Sequence, residues 1–192
     1  MITMKQITEQ FSSATSRKTM WNESVEELIT QLAAPKGTVG ILYTSEDLAP
    51  FLGKMLDQLR LKTGVTDWAG ASGYGTISHT EEIFGESSAT VIVLDLPPDA
   101  YRVFSGNADV GTLLSAKETE WLAEATMPLA ISHVDPRHPY AMEAISNLAE
   151  MTGSFLIGGL TAASSDSPHL VNDQKTCMSG IAVSPMLSLI HI

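Results

Sequence analysis

The sequence predicts an α/β protein made of two duplicated β-α-β-β units, which form a mixed parallel/antiparallel sheet with helices packed outside. Short apolar runs alternate with amphipathic helical segments, as they do in α/β folds. The same order of segments occurs twice along the 192 residues. Glycines after the repeated segments keep a constant spacing, because Gly64 and Gly153 lie 89 positions apart, as do Gly70 and Gly159. This spacing indicates an ancestral duplication.

A lead-in at residues 1–37 precedes the first unit and contains a predicted strand and helix. Residues 11–16 are predicted as a short strand. Ser24 and Glu27 form a Ser-x-x-Glu pattern that is typical of a helix N-terminal capping box. Apolar residues then recur on one helical face, namely Val25, Leu28, Ile29 and Leu32. The Pro-Lys-Gly stretch at 35–37 is expected to end this helix.

The first unit is predicted over about residues 38–98. Its opening apolar run, residues 38–45, is typical of a buried strand. An amphipathic helix is expected to begin near Asp47 and to end at Gly64. Its predicted apolar face consists of Leu48, Phe51, Leu52, Met55, Leu56 and Leu59. The run at 89–94 is predicted as the last strand, antiparallel to the first two.

The second unit, at about residues 127–185, repeats this order. An apolar run at 128–132 is followed by a helix that Pro139 opens and Gly153 closes. Its predicted face comprises Tyr140, Ala141, Ala144, Ile145 and Leu148. Residues 179–183 supply the last strand. Parallel pairing is expected for the strands on either side of each crossover helix.

Residues 99–126 are interpreted as the linker between the units. A short helix is expected there around residues 116–124, with Trp121 and Leu122 facing inward. The two units and this linker together define one domain at 38–186.

Composition limits the possible partners and the compartment. The chain has 11 basic and 22 acidic residues, a net charge of −11, which disfavours nucleic acids and anionic membrane surfaces. The sequence contains no apolar stretch of the roughly 20 residues that a membrane helix needs. A single cysteine, Cys177, cannot form a disulfide within the chain, as is usual in a reducing compartment. We therefore expect a cytoplasmic protein that binds neither nucleic acid nor membrane.

Small residues crowd the chain after the second strand of each unit. Backbone amides at such glycine-rich segments can point at a ligand, and they lie at the carboxyl ends of parallel strands, where open sheets usually bind ligands. The alternative is that the glycines only let the strands bend and pack. The predicted ligand-binding residues are Ser72, Gly73, Gly158, Gly159 and Thr161. A negatively charged ligand group would suit their amide donors.

The sequence contains no complete catalytic motif. The glycines fit neither a phosphate-binding loop nor a nucleophile elbow, so we expect no catalytic residue, no cofactor and no enzyme. One alternative stays open, a metal-assisted hydrolase that uses His133, Asp135 and His138. An ordinary turn after a strand explains the same residues, and on that reading there is no metal site.

The chain contains two fairly specific motifs, Trp68-Ala-Gly70 and Phe155-Leu-Ile-Gly158-Gly159-Leu. Together with several more general motifs they resemble FIST domains, in the order expected of a FIST N region, and the resemblance covers about residues 21–184. It implies a cytoplasmic sensory domain of signal transduction that binds a small ligand such as an amino acid, without turnover. It also implies a C-terminal FIST half as the natural partner, which would be missing here.

The last six residues, 187–192, depart from the family pattern expected there. Their sequence, Leu-Ser-Leu-Ile-His-Ile, is also what the transposase mosaic-end adapter of sequencing libraries encodes in one reading frame. We therefore expect a non-native tail on a C-terminally truncated fragment.

Overall fold

The structure, a computed structural model, describes residues 11–33, 35–106, 116–125, 128–162, 171 and 178–184. The predicted tail and Cys177 lie outside these residues. The elements in chain order are β1 Phe11–Ser16, α1 Trp21–Leu32, β2 Val39–Ser45, a 3₁₀ helix Glu46–Phe51, α2 Leu52–Thr63, β3 Asp67–Gly73, β4 Gly75–Ile77, β5 Glu82–Phe84, β6 Ala89–Leu94, β7 Tyr101–Gly106, α3 Ala116–Glu124, β8 Leu129–Val134, α4 Ala141–Thr152, β9 Phe155–Leu160 and β10 Met178–Val183. None of the described helices is long and apolar enough to cross a membrane.

Two four-stranded sheets share one topology. Their strand orders are β1-β6-β2-β3 and β7-β10-β8-β9. In each sheet the crossover helix joins a parallel pair, β2–β3 or β8–β9, and every other pairing is antiparallel. The predicted mixed α/β fold is confirmed.

The sheets lie face to face with the helices on the outside. One core joins α1 and α2 to the outer face of the first sheet, where Leu42, Trp68 and Val91 are buried. A second core joins α3 and α4 to the outer face of the other sheet. A third lies between the sheets and contains Ile41 and Ile181. Alternate residues of β2 therefore face a helix layer or the opposite sheet, as strand geometry requires.

The repeating unit is longer than the sequence suggested. The lead-in carries β1 and α1, and the segment 99–126 carries β7 and α3 in the equivalent places of the second sheet. Each unit is thus β-α-β-α-β-β. The first unit also contains a hairpin, formed by β4 and β5. The second sheet therefore includes part of the predicted linker, since β7 pairs with β10.

The predicted equivalence of Gly70 and Gly159 is wrong. Gly70 pairs with Leu42 in the first sheet and Gly158 pairs with Ser132 in the second. Both glycines have strongly positive φ, +138° and +135°, and both press against the backbone of the paired strand. Gly158 is therefore the partner of Gly70, because the connection from helix to strand is one residue shorter in the second unit.

Gly64 and Gly153, by contrast, are equivalent as predicted. Each ends its helix in the left-handed conformation, with φ of 75° and 56°. Leu52, Leu56, Leu59 and Leu148 are buried, as the helical periodicity indicated.

Three details of the helices differ from the prediction. Helix α1 begins at Trp21 without a side-chain cap, and Ser24 lies buried inside its first turn, so there is no capping box. Glu27 instead accepts a hydrogen bond from Ser16 Oγ, 2.6 Å away. Tyr140 precedes α4 and is exposed, and Ile145 is only half-buried.

Candidate functional site

A cavity of about 400 Å³ opens between the two sheets, at the carboxyl ends of β3 and β9. Its volume lies within the range of small-molecule sites. The residues that line it are Tyr43, Ala71, Ser72, Gly73, Tyr74, Gly75, Thr76, Ile77, His133, Gly159, Leu160, Thr161 and Ala162. Both units therefore contribute to one cavity.

Equivalent positions of the two units meet there. Tyr43 lies opposite Ala71 in the first sheet, and His133 lies opposite Gly159 in the second, each one residue beyond the paired positive-φ glycine. The duplication thus places two matching strand ends on either side of the same space. The hairpin of the first unit adds Gly75, Thr76 and Ile77.

Tyr43 and His133 are joined across the boundary between the sheets. The Tyr43 hydroxyl lies 2.8 Å from His133 Nε2, and the rings meet edge to face. His133 Nδ1 lies 3.2 Å from the carbonyl oxygen of Ser179, which can only accept. Nδ1 therefore carries the proton of the neutral ring, and Nε2 accepts from the tyrosine. The pair closes one wall of the cavity with both imidazole nitrogens engaged.

Burial keeps both members of this pair uncharged. It lowers the pKa of the His133 imidazole below its ordinary value, against the opposing effect of the Ser179 hydrogen bond. It raises the pKa of the Tyr43 phenol. Removal from water disfavours the charged form of each group, so burial favours the neutral form of both.

Two hydroxyls at the cavity have no partner within the described residues. Thr76 and Thr161 are 3% and 7% exposed, and neither Oγ1 atom makes a hydrogen bond there. A buried hydroxyl without a partner is costly, so such groups call for an explanation. Both oxygens are themselves closed to solvent, so neither is presented to the cavity in this conformation.

Four of the five predicted ligand-binding residues come together in this cavity. Ser72 and Gly73 approach it from β3, and Gly159 and Thr161 from the end of β9. Gly158 does not reach it and lines a smaller cavity of about 190 Å³ beside Ile145 of α4, which shares Gly159 and Leu160 with the first. The glycine-rich stretches belong largely to strands β3 and β9 and are not bends that leave the strands.

The residues of the metal alternative are engaged elsewhere. His133 bonds to Tyr43 and Ser179. Asp135 forms an ion pair with Arg137 at 2.5 Å. His138 Nδ1 lies 3.4 Å from the backbone nitrogen of Tyr140. Within the described residues, no three His, Cys, Asp or Glu side chains are grouped so that they could hold a metal ion.

Tyr43 and Thr76 also line the cavity, although they were not among the residues predicted to bind ligand. Tyr43 stands near the carboxyl end of β2, a position that the general rule for open sheets would have marked. Thr76 belongs to the β4–β5 hairpin, outside the strands and helices that the repeat makes comparable.

No curated protein matches the chain. The FIST N domain family matches residues 38–188 and so covers both parallel strand pairs and all the residues that line the cavity. FIST domains are associated with sensory functions in signal transduction and are not regarded as catalytic. The chain belongs to the FIST N domain family.

Proposed function

We propose that the cavity between the sheets binds a small molecule, and that the chain is the sensing part of a signal transduction protein. The observation that carries this proposal is the meeting of equivalent strand ends from both units at one cavity. A ligand held there contacts both sheets at once. Binding can then alter how the units pack, which is what a sensory domain needs.

The chemistry of the lining favours binding over turnover. The cavity combines apolar side chains with a few hydroxyls, the usual composition of a ligand pocket. Tyr43 and His133 bond to each other, and burial moves their pKa values away from neutrality in opposite directions. A general base works best with a pKa near the operating pH, so this pair suits recognition better than proton transfer.

We further propose that this binding takes place in the cytoplasm, within a longer protein. The acidic composition and the single cysteine support the compartment. Exposed apolar residues along β9 support a packing partner such as a C-terminal FIST half, because Phe155, Ile157 and Leu160 are 72%, 41% and 51% exposed.

Ligand screening by thermal shift, with and without Gly159→Val, tests the proposed site. A side chain at Gly159 would meet no atom within 4 Å, so valine should fill cavity space and leave the fold intact. A ligand, with amino acids among the compounds screened, should raise the melting temperature of the wild type and not that of the variant.

Gly53→Val is the matched control. Gly53 lies on α2 away from the cavity, and a side chain there also meets nothing within 4 Å. The control should respond to ligand like the wild type. A ligand shift that persists in Gly159→Val would place the binding site elsewhere.

A further inference from the structure

Val171 occupies a place on the first sheet that has an equivalent on the second. Its backbone nitrogen donates a hydrogen bond to the carbonyl oxygen of Gly70 on β3, 3.1 Å away. Its side chain is 1% exposed and belongs to the core that α1 and α2 form with the first sheet. Val171 follows β9 in the chain, so a residue of the second unit docks on the edge strand of the first sheet.

Gly158 on β9 presents the same backbone feature as Gly70. The two glycines share their positive φ and their close approach to the paired strand, so their carbonyl oxygens are placed alike. The backbone nitrogens of Phe155 and Thr161 bond to β8. Residues that bond to one neighbour alternate along a parallel strand, so the polar groups of Gly158 lie on the outer side of β9. Gly70 is buried, whereas Gly158 is exposed.

The cavity of about 190 Å³ beside Gly158 lies where the first unit has its Val171 core. Three of the residues that line it have equivalents in that core. The equivalent pairs are Ser132 with Leu42, Ile145 with Leu56, and Leu156 with Trp68. An apolar cavity of about 150 Å³ already holds a benzene-sized group, so this one has room for an aliphatic side chain.

We propose that this cavity and the outer side of β9 form a docking site for an extended segment of a partner polypeptide. The segment carries one aliphatic anchor residue, which takes the pose that Val171 takes at Gly70. The anchor donates its backbone N–H to the carbonyl oxygen of Gly158 and places its side chain beside Ile145. In such strand addition, main-chain hydrogen bonds give affinity and the side-chain pocket gives specificity.

The test uses the segment around Val171 as its own probe, a labelled synthetic peptide of residues 167–175 with blocked ends. Titration with the full chain should give saturable fluorescence anisotropy below about 1 mM. N-methylation at Val171 of the peptide removes the backbone donor, and Val171→Asp replaces the aliphatic side chain with a charge. Each change should weaken binding at least about tenfold.

Two variants of the chain locate the bound peptide. Ile145→Asp places a charge in the cavity wall and should weaken the peptide at least about tenfold. Ile29→Asp on α1 is the matched control, because Ile29 is likewise a partly buried isoleucine on a helix but lies in the first unit. It should bind the peptide like the wild type. The N-methyl comparison uses the wild-type chain, so it decides the question even if Ile145→Asp does not fold.

Several results would overturn this inference. The absence of saturable binding would do so, as would equal binding of the N-methylated peptide. Binding that persists in folded Ile145→Asp would place the peptide away from Gly158. Self-association of the chain that Ile145→Asp abolishes, without binding of the peptide, would make a second copy the occupant. The ligand screen of the cavity between the sheets stays a separate test, since it does not involve Ile145.

Discussion

The two units of this chain share one topology but differ in side-chain size and burial. Strand β3 is buried along most of its length, whereas the equivalent strand β9 is largely exposed. On the helix side, the first unit places Leu42 and Trp68 where the second has Ser132 and Leu156. The smaller pair leaves the cavity of about 190 Å³ beneath α4.

This difference shows that backbone geometry can persist after a duplication while side-chain packing diverges. Backbone features persist in both units, namely the positive-φ glycines, the left-handed helix ends and the strand order. Side-chain packing has diverged, so that the first unit holds the larger buried residues and the second keeps an open edge. The first unit is therefore the better packed half, and the second is the half with surface available for a partner.

The largest expected effect concerns the paired glycines. A side chain at Gly70 or Gly158 would lie 1.9 Å from the carbonyl oxygen of the neighbouring strand, in a backbone conformation that favours glycine. Gly70→Ala should lower the free energy of unfolding by about 3 kcal/mol or more, measured by urea denaturation. Gly158→Ala should cost less, because the exposed strand β9 can shift.

Gly159→Ala is the control for this pair, because its side chain would meet nothing within 4 Å. It should leave stability almost unchanged. Equal costs at Gly158 and Gly159 would mean that the close approach of β9 to β8 does not constrain the second sheet.

The next effect compares equivalent core positions on the two crossover helices. Leu56 is 4% exposed in the core of the first unit, and Ile145 is half-buried beside the smaller cavity. Leu56→Ala should cost about 2–5 kcal/mol of unfolding free energy, the usual range for a buried truncation. Ile145→Ala should cost about 1–2 kcal/mol, because less of its surface leaves water on folding. The reverse order would contradict the packing difference between the units.

A third effect is the pH dependence of stability that comes from the hydrogen-bonded pair Tyr43 and His133 between the two units. His133 is held neutral in the fold because burial lowers its pKa, whereas in the unfolded chain the imidazole takes up a proton below about pH 6.5. The unfolded state then binds more protons, so stability falls as the pH drops below that value. The slope from one histidine is at most about 1.4 kcal/mol per pH unit.

His133→Gln should remove this part of the pH dependence. Denaturation curves between pH 5 and 8 give the free energy of unfolding of the wild type and of the variant. The difference between the two at each pH removes the contribution of the other titrating groups, which both proteins share. His79→Gln is the control for the substitution itself, because His79 is exposed and does not line the cavity. Parallel slopes in wild type and His133→Gln would show that the His133 pKa is not lowered by folding.

The sequence was enough to predict the helices, most strands of the two sheets and their mixed pairing, but not β7, which fell in the predicted linker, or the hairpin of β4 and β5. The apolar face of α2 and the glycine end of each crossover helix are local features, so a short window of residues determines them. The register of β9 could not be read in this way. One residue is missing between Gly153 and the strand, and only pairing with β8 shows that Gly158 takes the place of Gly70.

Part of the cavity lining was predictable from the repeat. Ser72, Gly73, Gly159 and Thr161 lie at strand ends that a repeat makes equivalent, so their convergence followed from topology. The contact between Tyr43 and His133 depends on how the two sheets face each other. Residues that lie 90 positions apart on different sheets leave no local pattern from which to infer a hydrogen bond.

The smallest expected effect on stability tests the open edge of the second unit. Phe155 begins β9 with 72% of its surface exposed, and Asp67 occupies the equivalent place in β3, where its carboxylate accepts a hydrogen bond from Tyr101 at 2.9 Å. Phe155→Asp should change unfolding free energy by less than about 0.5 kcal/mol, because little buried surface is lost. It should nevertheless reduce self-association in sedimentation velocity, because a charge on an edge strand opposes pairing between chains.

Leu61→Asp on α2 is the control, because it adds the same charge at an equally exposed apolar residue, 73%, and it should reduce self-association less. Equal reductions would mean that net charge, and not the open edge of β9, controls association.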